Sequence, residues 1–122
     1  MWLTEQKTKN LGYNLWYQLY LHPECKRKYD LKNCGEEAAA AYEAVKHFAE
    51  ACPFCEYDSQ TRILFSKVDN PIKECHFCPL QGVKENTNCC SGHFRNWYMA
   101  ETPEDREREA LIILTMIKNW IL

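Results

Sequence analysis

Cys52-Pro53-Phe54-Cys55 and Cys75-His76-Phe77-Cys78-Pro79 are separated by nineteen residues. Two C-x-x-C pairs roughly 15–20 residues apart are the sequence form of a tetrahedral four-cysteine zinc site. Each pair can put two thiolates on one cation, and the segment between them closes a loop over it. Cys52, Cys55, Cys75 and Cys78 are the simplest ligand set. Cys89 and Cys90 compete for a place in it, because only one of two adjacent cysteines easily joins a tetrahedron. His76, inside the second pair, and His93, just after the adjacent cysteines, are the nitrogen donors that could replace a thiolate; otherwise they are surface or hydrogen-bonded side chains. Four protein ligands leave no open position for water or substrate, so the expected zinc is structural. Its binding would supply folding free energy to a segment that cannot gather enough by packing alone.

Chain length and compartment bear on how the remaining sulfur is read. At 122 residues the chain suits a single domain, and 46% apolar with 26% charged residues is ordinary globular usage. The formal charge of −2 argues against a dominant nucleic-acid-binding surface. Met1-Trp2-Leu3-Thr4-Glu5-Gln6-Lys7 has no basic region followed by an apolar run, so a signal peptide is not expected, and no apolar stretch is long enough to span a membrane. The expected location is therefore the cytoplasm, the host cytoplasm for a viral protein, where thiols stay reduced and clustered cysteines more often hold metal than form disulfides. Cys25 and Cys34 can be a second half-site, a disulfide closing a small loop, or buried thiols; the last is preferred, since unpaired cysteine is among the most buried residue types.

Three helices must position these groups. Leu11, Leu15 and Leu19 with Trp16 give a helix near 5–21 that His22-Pro23 stops, with Gly12 weakening its middle. Lys26-Arg27-Lys28 then reads as a solvated basic turn. Ala38, Ala41, Tyr42, Val45, Phe48 and Cys52 follow one face of a helix over 36–51, with Glu36 and Glu37 at its positive end and Pro53 ending it. Residues 56–74 are ambiguous, with Arg62–Val68 either a short strand or a helical turn, and 79–92 is polar and turn-like. Thr102 caps a last helix near 103–121, Pro103 takes its first position, and Glu104 and Asp105 make its first turn acidic. That helix is apolar on more than one side, so it needs cover from its own domain or from a partner.

Three sharper chemistries compete with a structural zinc. Cys52-Pro53-Phe54-Cys55 looks like a glutaredoxin active-site motif, which should open a helix, whereas here it is expected to close one. His22-Pro23-Glu24 followed by Cys52-x-x-Cys55 is similar to the zinc-deaminase signature, although Ala51 stands where that signature has proline. A zinc ribbon would place Arg62–Val68 on a hairpin and bind nucleic acid, but only Arg62, Lys67 and Lys73 supply charge there.

From Cys52 onward the order of features resembles a family of small phage and prophage proteins of unassigned activity. Those proteins carry a helix, C-x-x-C, C-x-x-C-P, then a cysteine with a following glycine and aromatic, and an apolar C-terminal helix. The matching residues are Cys52, Cys55, Cys75, Cys78 with Pro79, Cys89 or Cys90 with Gly92 and Phe94, and Trp97. The resemblance spans roughly residues 36–122 and implies a metal-stabilised phage accessory protein. The resulting expectation is a mainly helical single domain, with an irregular cysteine-rich zinc-binding segment between its second and third helices. The expected partner is a protein, with a homodimer through the last helix as one form of that contact, and no catalytic activity is expected. A nucleic-acid-binding zinc module and a deaminase-like enzyme are the alternatives.

Overall fold

In a computed structural model, residues 3–48, 51–65, 78 and 92–120 are described, and the regular elements among them are helical. They are α1 (Glu5–Leu21), a 3-10 helix (Lys28–Asn33), α2 (Glu36–Glu43), α3 (Pro53–Phe65), α4 (His93–Met99) and α5 (Pro103–Asn119). The mainly helical fold of a small single domain follows from the sequence as expected. The first and last helices start where local chemistry dictates. Thr4 accepts the Lys7 N–H at 3.1 Å and Thr102 accepts the Asp105 N–H at 3.1 Å, each satisfying a donor that a helix start leaves open.

Helix α1 is the centre of the assembly, packed against α2, α3 and α5, while α4 packs on α5. Its Leu15, Trp16 and Leu19 are fully buried, each contributing on the order of 1.5–3 kcal/mol of apolar transfer. Trp16 meets Trp97 of α4 edge-on at 5.3 Å between centroids and Phe94 edge-on at 6.3 Å. From α5, Ala110, Ile113, Leu114 and Ile117 close the core. α1 and α4 thus cover much of the apolar surface of α5 from within the chain, leaving Leu111 exposed and Ile112 and Met116 half-buried.

The second expected helix is shorter than its apolar periodicity suggests. α2 ends at Glu43, and the chain continues in tight turns, with the Val45 N–H bonded to Tyr42 O, the Phe48 N–H to Val45 O and the Ala51 N–H to Phe48 O. Ala51 then adopts φ +48°, a left-handed conformation that breaks any continuous helix. Pro53 therefore begins a helix, where its missing N–H costs nothing, instead of merely stopping one. This new helix, α3, absorbs the ambiguous residues as far as Phe65; the rest of the 56–74 stretch and, apart from Gly92, the 79–92 stretch lie outside the described residues. α4 is a further helix that sequence periodicity did not reveal, entered through Gly92 at φ +89°.

The basic turn is also different from its expectation. Lys26 is exposed, but Lys28 is buried and Arg27 stacks on the Tyr98 ring at 4.0 Å. The Lys28 ammonium sits 4.6 Å from the Phe94 ring centroid and 5.8 Å from that of Trp16, and donates to Ala51 O at 3.4 Å. Aromatic faces and a carbonyl replace part of the water that a buried ammonium loses.

Gly12 has a packing role in place of a weakening one. The fully buried Phe54 ring of α3 lies so close to Gly12 that a Cβ built there would overlap Phe54 Cζ. Gly12→Ala would ordinarily favour a helix by up to about 1 kcal/mol. Overpacking against a fixed ring costs about 1–3 kcal/mol. The expected net outcome is a lower melting temperature, read by circular dichroism, and Phe54→Leu in the Gly12→Ala background should recover part of the loss.

Candidate metal centre

The first cysteine pair is presented by the turn into α3. Cys52 stands immediately before the helix, and its carbonyl accepts the Glu56 N–H at 3.1 Å, the first bond of the helical ladder. Its sulfur accepts the Cys55 N–H at 3.4 Å, one of the donors that a helix start leaves unsatisfied. Cys52 is buried and Cys55 half-buried. The Cys55 thiol hydrogen bond pulls the Cys52 thiol down from its ordinary 9.0 to about 6; burial opposes this, while the Lys28 charge and the Cys55 and Phe54 N–H groups reinforce it. The motif expected to close a helix therefore opens one, and it holds its first sulfur as a thiolate at neutral pH.

Cys78, of the second pair, belongs to the same apolar core. Cys52 and Cys78 are both buried in the apolar cluster formed by α1, α3, α4 and α5, and Cys55 packs against that cluster. Cys75, His76, Cys89 and Cys90 lie outside the described residues. His93 begins α4, and its Nδ1 is 2.7 Å from Glu109 Oε2 on α5. That contact ties the two helices together and would leave only Nε2 for a metal.

A second group of donors gathers where α1 ends. His22 is the C-cap of α1, and its N–H bonds to Gln18 O. The donor atoms of His22, Glu24 and Cys34 all lie within 4.8 Å of one another, with His22 Nδ1 3.2 Å from Glu24 Oε1. Cys25 Sγ is 3.2 Å from Cys34 Sγ. Burial, the Cys34 hydrogen bond and the charges of Glu24 and Asp30 push the Cys25 thiol up to about 12. Both thiols are in the unbridged form; Cys25 is 3% exposed and Cys34 half-buried. His22, paired in the sequence with Cys52 and Cys55 as a deaminase-like set, is instead gathered with Glu24 and Cys34.

Sequence reasoning misses the role of Lys28 and the meaning of one spacing. Lys28, expected in a solvated turn, supplies a positive charge that favours the Cys52 thiolate. His22 and Cys25 have H-x-x-C spacing, which is a ligand signal that could have been seen beside Cys34. Of the charges assigned to a nucleic-acid face, Arg62 pairs with Asp58 at 2.8 Å, and Lys67 and Lys73 lie outside the described residues. No helix of the described residues is long and apolar enough to cross a membrane. No protein-family model, curated protein or solved structure matches this chain.

The Cys52 environment has a measurable consequence in metal-free, reduced protein. Thiolate absorbance should show a step near pH 6 that Cys52→Ser removes and Lys28→Met moves upward. Because the folded thiol ionises below its ordinary 9.0, its contribution to stability is complete above about pH 9 and is lost as pH falls through about 6. A first thiol step no lower than pH 8 would contradict the geometry of the helix start.

Proposed function

We propose that this protein is a zinc-stabilised binding protein, an accessory factor of the phage or viral kind, that acts on a protein partner without catalysing a reaction. Cys52, Cys55, Cys75 and Cys78 hold the ion. What supports this reading is that Cys52, Cys55 and Cys78, from separate C-x-x-C pairs, all belong to or pack on one apolar core. The residues suit the group: Cys52 is already biased to thiolate, and thiolate is the form zinc takes. The ion supplies structure alone, fixing the turn before α3 to the segment that carries Cys78. Partner contact falls to exposed apolar side chains, notably Ile63 and Leu64 near the end of α3 and Leu111 on α5, the last suiting a second copy of the chain.

A second reading is favoured by the position of Cys52-Pro53-Phe54-Cys55 at a helix start. There a thiolate can attack a disulfide of a partner, forming a mixed disulfide and releasing one partner thiolate. Cys55 then displaces the other, leaving a Cys52–Cys55 disulfide and a reduced partner. A cleft of about 210 Å³ between Arg27, Lys28, Tyr42, Phe94 and Tyr98 reaches Ala51, the residue before Cys52, and is lined by neither cysteine.

Elemental analysis with a thiol count on protein purified under reducing conditions separates the two. The zinc reading expects bound zinc and slow reaction of Cys52 and Cys55 with thiol reagents until a chelator is added. Cys55→Ser should then lose cooperative melting, at a cost of several kcal/mol, given that zinc in such sites supplies roughly 10 kcal/mol or more of binding free energy. Metal-free protein that reduces a disulfide substrate through Cys52 would replace the first reading with the second.

A further inference from the structure

The donors at the end of α1 are independent of the C-x-x-C pairs, and their types are those of a transition-metal site. Imidazole and thiolate together select zinc over magnesium or calcium, which prefer oxygen. Zinc–sulfur bonds of about 2.3 Å and zinc–nitrogen bonds of about 2.0 Å in a tetrahedron place neighbouring donors roughly 3.3–3.8 Å apart. His22, Glu24 and Cys34 already lie within 4.8 Å of one another, and Cys25 Sγ is 3.2 Å from Cys34 Sγ. Cys25 thus joins the group through its contact with Cys34.

The loop that carries them is held on every side. Arg106, buried on α5, donates to Pro23 O at 2.6 Å and to Ala100 O at 3.1 Å. The Cys25 N–H closes a turn onto His22 O at 3.0 Å. The Asp30 carboxylate accepts the Lys26 and Arg27 N–H groups, each at 3.1 Å, fixing the start of the 3-10 helix that ends at Cys34. Two helical C-termini therefore point at the cluster, His22 capping one and Cys34 the other. The last turn of α1 carries no basic residue, so its negative end is left for another cation.

We propose that His22, Cys25 and Cys34, with Glu24 as the exposed fourth ligand, form a second zinc site that clasps the end of α1 to the 3-10 helix. The buried thiol of Cys25 anchors the ion, and Glu24, which faces solvent, is the ligand that exchanges. This site does not depend on the four-cysteine site, and its test is arranged to fail separately.

The test is zinc stoichiometry of the reduced, metal-free full chain, titrated against a chromophoric chelator, with cobalt as a spectroscopic probe. Wild type should bind two equivalents. Cys34→Ser and His22→Ala should each lose one, whereas Cys55→Ser should keep the equivalent that Cys34→Ser loses. His22→Ala is on a half-exposed side chain, so it reports on the site even where a cysteine variant unfolds. One equivalent lost by Cys34→Ser and His22→Ala but unaffected by Cys55→Ser would support this site and sink the four-cysteine reading. One equivalent indifferent to Cys34→Ser and His22→Ala would overturn it, as would a Cys25–Cys34 disulfide that persists through reduction and excludes metal.

Discussion

The close approach of Phe54 to Gly12 is the contact on which the geometry of the cysteine centre rests. A ring can reach the backbone of α1 only where no Cβ stands in the way, and that requirement fixes both the height and the angle at which α3 meets α1. Cys52 and Cys55 flank Phe54 in sequence, so seating the ring also seats both sulfurs. Phe54 makes an edge contact with Trp120 as well, at 6.2 Å between centroids, which joins the start of α3 to the end of α5. The pair is thus placed by core packing before any ion is considered.

Lys28 connects that packing to charge. Its ammonium lies among Trp16, Phe94 and the Ala51 carbonyl, inside a region where an isolated cation would be costly. A thiolate at Cys52 is the natural counterpart, since each charge lowers the cost of burying the other. The same 3-10 helix begins at Lys28 and is capped at its far end by Cys34. One six-residue element therefore faces a basic group toward one sulfur centre and a thiol toward the other.

Elements defined by local signals were legible in the sequence. Thr4 and Thr102 are side-chain caps with Glu or Pro-Glu-Asp after them, and both helices start where those residues say. The 36–52 stretch was not, because an apolar period of 3.6 continues through turns whose backbone is no longer α-helical. Pro53 is compatible with an end or a beginning, and only the left-handed backbone of Ala51 decides which. Burial of Lys28 depends on Phe94, far along the chain, and the gathering of Cys34 with His22 and Glu24 depends on a 3-10 helix between them. No periodicity encodes such meetings. The spacing of Cys52 and Cys55 was plain, but the helix start that sets the Cys55 N–H on the Cys52 sulfur was hidden by the same reading of Pro53 as a stop.

The Arg106 guanidinium spans 83 residues of sequence to reach the Pro23 carbonyl. A contact of that separation closes a long loop, whose entropy cost grows only slowly with length. The bend after α1 thus has two kinds of support, short-range bonds from Cys25 and Asp30 that it makes for itself and one long-range strut from α5. Its sulfur atoms are held in position partly by the far end of the chain.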